Sequence, residues 1–229
     1  ETLLGLNRDG TSWAFEPATG EQTVFENQVP GSALRAHSLH VASDDRVYMG
    51  TYNGPGTLGR FDPATQEMEQ IEGPSQADSF LTLQDDDLVM GSYGNAVVHR
   101  GDPAADWDYG TNPSEQFRLI DEQQDRIVDQ DTDGELVAMA TVADYGVRGG
   151  GLTLTDMSDR GVTHRDLVEA QSTASVAFGD DGLLYAGTSI QGGLSSENSP
   201  LDAHLLVVDP QTGDVLDSVV PVEGNPVVA

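Results

Sequence analysis

The residues able to do chemistry in this chain fall into two sets, each at a fixed place in a repeating pattern. Tyr52, Tyr93, Tyr145 and Ser189 each follow a short run of strand formers. Arg35, His37, Asp78, Gln124, Asp125 and Arg126 lie just before or at the start of another strand, as do Gln76, Gln171 and Ser172. If the repeats stack, both sets approach one rim. Tyrosines with a few convergent polar groups suit a sugar or another small polar ligand, so the pattern predicts a site for carbohydrate or a protein partner. Arg126 would grip a carboxylate or sulfate through its planar fork. The same residues would also serve a polysaccharide lyase. There His37, Tyr52, Tyr93 or Tyr145 takes the proton beside a uronate carboxylate, and Arg126 neutralises that carboxylate. The plainer alternatives are an internal Asp125–Arg126 ion pair and tyrosines that cap strand ends.

Metal chemistry has one candidate. Asp129-Gln130-Asp131-Thr132-Asp133-Gly134 matches the first half of a calcium loop, with Asp129, Asp131 and Asp133 as ligands. The closing glutamate of such a loop is replaced by Ala140, and the segment also aligns with an ordinary acidic hairpin turn. Asp85-Asp86-Asp87 is a weaker version. His37 and His40, three apart on a strand, are expected on opposite faces. His99, His164 and His204 fall in separate repeats. No nucleophile elbow, phosphate loop or dinucleotide fingerprint is present, and Gly149-Gly150-Gly151 precedes a strand.

The elements that must position these residues are read from Arg46 to Gln66, RVYMGTYNGPGTLGRFDPATQ. This is a strand, a Gly/Pro loop, a second strand and an acidic turn. The turn acid recurs at Glu16, Asp62, Asp102, Asp156 and Asp209, a period of roughly 40 to 50 residues. Each repeat also has an upstream strand ending in an acidic turn. Several short strands per period, without helical periodicity, predict an all-β protein, a β-propeller of about five four-stranded blades. The expected units are 1–31, 32–74, 75–122, 123–170 and 171–224, in a single domain spanning 1–229. Expected outer strands cover Thr23–Phe25, Met68–Ile71, Phe117–Ile120 and Val215–Val220. The first unit lacks an innermost strand. Residues 225–229 either supply it, closing a five-bladed ring, or begin another blade of a seven- or eight-bladed one.

Charge narrows the function. The chain has 39 Asp and Glu against 10 basic residues, all arginine, for a net charge of −29. Nucleic acid is excluded as a partner, because phosphate contacts need cations, and anionic membrane surfaces are disfavoured. The acids are spread over turns, as in an acidic shell around a folded core, and the lack of lysine matches halophile composition or, alternatively, that of an acidic secreted protein from a GC-rich organism. Without cysteine there is no disulfide and no thiol chemistry. No segment has 18 consecutive apolar residues, so no membrane insertion is expected. The start at Glu1, inside a repeat, fits a processed chain or part of a longer multidomain one.

The order of motifs carries a resemblance. Asp106-Trp107-Asp108-Tyr109-Gly110-Thr111-Asn112-Pro113 comes first, then Gln124-Asp125-Arg126. Asp144-Tyr145-Gly146 with Gly149 to Thr153 follows, and Gly187-Thr188-Ser189-Ile190 with Gly192-Gly193-Leu194 ends it. From Arg46 to Gly213 this resembles a group of secreted bacterial or archaeal WD40-like or PQQ-like β-propellers, often attached to carbohydrate-active or surface-anchoring modules. The resemblance implies a propeller at the cell surface or outside the cell, a role near polysaccharide, and further blades outside this chain. It implies no activity. The Trp-Asp pair of WD40 blades occurs once, at Trp107-Asp108. A purely structural role as a surface or scaffold segment is the remaining expectation.

Overall fold

The computed structural model describes residues 2–6, 12–25, 35–52, 54 and 56–229. They form five antiparallel sheets whose strands follow one another in chain order. Blade 1 contains β1 (Leu3–Leu6), β2 (Ser12–Glu16) and β3 (Glu21–Phe25). Blade 2 contains β4 (Arg35–Val41), β5 (Val47–Tyr52), β6 (Thr57–Asp62) and β7 (Glu67–Glu72). Blade 3 contains β8 (Ala77–Thr82), β9 (Leu88–Ser92), β10 (Val97–Gly101) and β11 (Ser114–Arg118). Blade 4 contains β12 (Gln124–Thr132), β13 (Val137–Ala143), β14 (Gly151–Thr155) and β15 (Val162–Arg165). Blade 5 contains β16 (Ser172–Phe178), β17 (Leu184–Ser189), β18 (Leu205–Val208) and β19 (Val215–Val219). The chain is thus an all-β propeller with five consecutive blades. Four are four-stranded, and the first has three strands among the described residues.

The turn acids do what their spacing implies. Asp62, Asp102, Asp156 and Asp209 each accept the backbone N–H two residues on, at 2.8 to 2.9 Å. This local bond fixes the hairpin between third and fourth strands. Two outer strands differ from expectation. β11 ends at Arg118, and Ile120–Glu122 is a 3-10 turn instead. β15, Val-Thr-His-Arg, was too short and polar to stand out in the sequence.

Blades bury one another, not a common centre. Val47, Met49 and Phe61 of blade 2 pack with Leu4 and Phe25 of blade 1. Tyr48 and Leu58 meet Phe80 and Met90 of blade 3. Val89 and Val98 meet Ile127 and Met139 of blade 4, and Ala138 and Leu152 meet Val176 and Leu206 of blade 5. Each fully buried aliphatic side chain contributes about 1.5–3 kcal/mol.

The innermost strands carry the feature that shapes the rim. Near the start of β4, β8, β12 and β16 the register slips by one residue. Such a bulge bends the strand and re-aims the side chain at that point. The slip resets alternation in β4. As a correction to strict alternation, His37 and His40 both lie against β8, at Asp78 and Thr82 respectively.

Beyond the bulge the inner strands are stitched together. The Ser38 hydroxyl donates to the Ala77 carbonyl at 2.6 Å, and the Ser79 hydroxyl to the Ile127 carbonyl at 2.8 Å. Opposite Ser38 stands Gly50, where a Cβ would sit 2.1 Å from the Ala77 carbonyl oxygen. Gly187, opposite Ser175, stands in the same relation to the Val228 carbonyl, again at 2.1 Å. The tail repeats inner-strand bonding against blade 5. The Val228 N–H donates to Thr188 at 2.9 Å, Ile190 donates to Pro226 at 3.0 Å, and Val227 bridges Ser189. Residues 226–228 therefore hold the place of an inner strand next to blade 5.

Candidate functional site

The predicted rim residues divide into two clusters. In the first, between blades 2 and 3, Nε2 of His37 lies 2.9 Å from Oδ1 of Asp78. The Asp78 side chain is 1% exposed and the His37 side chain 36%. Gln76 donates to the same Asp78 oxygen at 2.6 Å. Oδ2 of Asp78 has no partner among the described residues. The Tyr52 ring meets the His37 ring edge-on at 5.5 Å. Arg35 opens β4 and pairs with Tyr52; its side chain lies outside the described residues.

The second cluster gathers Tyr93, Tyr145, Asp125 and Arg126. The Tyr93 and Tyr145 hydroxyls are 2.7 Å apart, joining the loops after β9 and β13. The Arg126 guanidinium lies 4.5 Å from the centre of the Tyr93 ring, a cation–π contact. Asp125 does not pair with Arg126. Its Oδ1 accepts the Asn95 N–H at 2.9 Å, and its carbonyl accepts Gly94 and Ala96. The internal ion pair expected at 125–126 is therefore absent. Asp125 instead shapes the tight turn that presents Tyr93. Tyr145 pushes the Tyr93 hydroxyl up to about 12 through their hydrogen bond, with burial adding to it. Tyr93 stays neutral at physiological pH.

Arg126 also lines a cavity of about 330 Å³ bounded by blade 4, blade 5 and the tail residues Val227 and Ala229. Its walls include Ser172, Ser189, Val142, Gln191 and Leu194. The Ser172 side chain is buried, and its hydroxyl has no partner among the described residues. The outer wall is the long loop after β17, folded onto the loop after β13. Gly193 donates to Val147 at 2.9 Å, Gly146 to Leu194 at 2.8 Å, and the Ser199 hydroxyl to Glu169 at 2.8 Å. Leu194 lines the cavity yet stays 56% exposed, and Tyr145, next to Gly146 in the adjoining loop, is 53% exposed.

Arg126 is unusual in having no carboxylate. Arg46, Arg60, Arg100, Arg118 and Arg160 each form ion pairs. Arg126, Arg148 and Arg165 form none among the described residues, and Arg126 lines the cavity just described. In a chain so rich in acids, this leaves the Arg126 guanidinium on an aromatic face with no carboxylate partner among the described residues.

Other predicted residues have internal duties. Gln124 is buried, accepting from Thr141 at 2.7 Å and donating to the Glu122 carbonyl at 2.9 Å. Asp129 and Asp131 accept the N–H groups of Val176 and Phe178 in blade 5, at 2.9 and 2.7 Å. Asp133 caps its own turn through Glu135 and Leu136. The three acids do not converge, and among the described residues no group of three acidic or histidine side chains is placed to hold a metal ion. Burial raises the Asp129 carboxyl above its usual range, against the two backbone amides that lower it. Gln191, Leu194 and Val142 escaped sequence reading. The Gly/Ser/Pro-rich run from Gly192 to Pro200 signalled a long loop but not where it folds.

No protein-family model matches the chain, and no characterised protein matches it by sequence. Solved structures do match it. One is the extracellular domain of a one-component system from B. thetaiotaomicron, at 18% identity and a TM-score of 0.57, covering 81% of this chain. This chain spans 25% of that one. A chain of the mitotic checkpoint complex matches at 13% identity and a TM-score of 0.61, over 95% of this chain and 64% of that one. A Bacteroides caccae protein of unknown function matches at 9% identity and a TM-score of 0.59, over 97% and 75%. At these identities the likeness establishes the fold alone.

Proposed function

We propose that this chain is a propeller binding module, working outside the cytoplasm, whose rim captures a carbohydrate bearing a carboxylate. The observation that carries the reading is Arg126. It has no carboxylate partner among the described residues, it rests on Tyr93, and it opens onto a cavity of about 330 Å³. That volume falls within the range of small-molecule sites, about 300–1,000 Å³. The guanidinium supplies a two-pronged grip for a planar anion, Ser172 and Ser189 supply hydroxyls, and Val142 and Leu194 supply apolar surface for a sugar face. The extracellular domain among the structural neighbours supports placement outside the cytoplasm.

A lyase is the second reading, favoured by the convergence of two tyrosines with an arginine. It needs a tyrosine that gives up its proton, and Tyr93 is held in the opposite direction. Calorimetric titration with glucuronate and with glucose, in 3 M KCl, tests the binding reading. It predicts saturable binding of the acid and none of the neutral sugar at the same concentrations. Equal binding of both contradicts it, and appearance of an unsaturated uronate product would establish the lyase instead.

A further inference from the structure

We propose that the Arg126 cavity selects ligands with one isolated carboxylate and turns away ligands of higher charge density. The discrimination comes from the protein's own acids and fades in salt. This deepens the carbohydrate reading and rests on it.

The cavity offers one cation. Among the described residues Arg126 is the sole charged side chain lining it, and its apolar walls, Val128, Val142 and Leu194, suit an uncharged remainder of the ligand. Carboxylate side chains adjoin the Arg126, Tyr93 and Tyr145 cluster, though none among the described residues lines the cavity itself. Asp125 is buried beside Arg126 in the chain, and its charge acts on Tyr93. Asp144 accepts the Tyr145 N–H at 2.7 Å, fixing a carboxylate at the foot of that tyrosine. A first ligand carboxylate meets the guanidinium. A second finds no further arginine along the cavity wall and stands in the field of the acidic chain.

The whole molecule acts in the same sense. A charge of −29 spread over a body of this size repels each added ligand anion. Treated as a charged sphere of radius about 20 Å, it disfavours one extra charge by about thirtyfold at 0.1 M salt and about twofold at 3 M. Salt also weakens the Arg126 contact, which opposes this trend in any single affinity. That contact is common to a mono- and a dicarboxylate, so it cancels from their ratio. Contact differences from the ester methyl do not depend on salt, so the change of the ratio with salt reports the repulsion.

The test compares digalacturonate with its mono-methyl ester, two ligands of one size that differ by a single charge. Both are titrated at 3 M KCl and at the lowest KCl concentration that preserves the circular dichroism spectrum. The ester is expected to bind several-fold more tightly at low salt and within about twofold at 3 M. Equal or tighter binding of the dicarboxylate at low salt overturns the proposal, as does a ratio that salt does not change. Arg126→Ala separates this from failure of the parent reading. Acid binding that needs Arg126 with a salt-independent ratio overturns only the selectivity. No preference for acids over glucose, or acid binding unchanged in Arg126→Ala, overturns both.

Discussion

The two rim clusters are built by the same device and end in opposite states. Each places a basic side chain at the bulged start of an inner strand, and each sets tyrosine beside it. Between blades 2 and 3 the basic group is answered from within, since His37 lies against the buried carboxylate of Asp78. Farther round, Arg126 is answered by the face of Tyr93 and by empty space. A basic group with an internal partner holds blades together; one without a partner is available to a ligand. The register differs by one residue, since His37 is itself the bulged residue whereas Arg126 follows the bulge and pairs with Val142, so position on the strand and neighbouring side chains together decide the role.

Substitution should separate the two. Arg126→Ala is expected to lower affinity for a carboxylated sugar by about thirty- to a hundredfold, the loss of a charge-assisted contact of roughly 2–3 kcal/mol. Its melting temperature should stay within about 1 °C of wild type, since no internal carboxylate loses a partner. His37→Ala should do the reverse. It removes a hydrogen bond from a buried carboxylate and lowers stability by about 1–2 kcal/mol, with affinity changed less than threefold. Paired melts and titrations of the two variants check this, and a reversed pattern breaks the comparison.

A subtler contrast lies in the seams between inner strands. Serine hydroxyls stitch blade 2 to blade 3 and blade 3 to blade 4, whereas carboxylates stitch blade 4 to blade 5. Of these particular stitches, only the last pair is made by carboxylates. The Asp129 carboxyl lies above its usual range in the fold. A carboxyl raised in this way favours the fold while protonated, below its unfolded value. It loses that contribution as pH rises through the folded value. Asp129→Asn keeps an oxygen for the Val176 N–H and removes the charge. It should melt higher than wild type at pH 7, with the gap closing as pH falls into the acid range. Melts across pH check this, and a gap that widens on acidification contradicts it.

The smallest expected effect concerns calcium. With Asp129 and Asp131 bonded to amides and Asp133 capping its turn, millimolar calcium should move the melting temperature by less than about 1 °C. A rise of several degrees, lost in Asp131→Asn, would instead make this seam a cation site.

What the sequence disclosed follows from which interactions are local. Turn acids such as Asp62 and Asp209 bond their own backbone, so their period was legible and gave the blades. The rim positions of Tyr52, Tyr93, Tyr145 and Arg126 followed from that period. The bulges were not legible, because no residue type marks them, and so His37 and His40 were placed on opposite faces. The Asp129-x-Asp131 spacing read equally as a cation loop. On a strand the same alternation sets both carboxylates on one face, here against blade 5. The cavity was hidden because its outer wall comes from a loop whose fold depends on the neighbouring blade.

The most direct measurement is a titration of wild type and Arg126→Ala with glucuronate, side by side in 3 M KCl. The account predicts saturable binding by wild type and a loss of at least about thirtyfold in the variant, with both proteins giving the same circular dichroism spectrum. Equal affinities would contradict it and remove the Arg126 cavity as the ligand site.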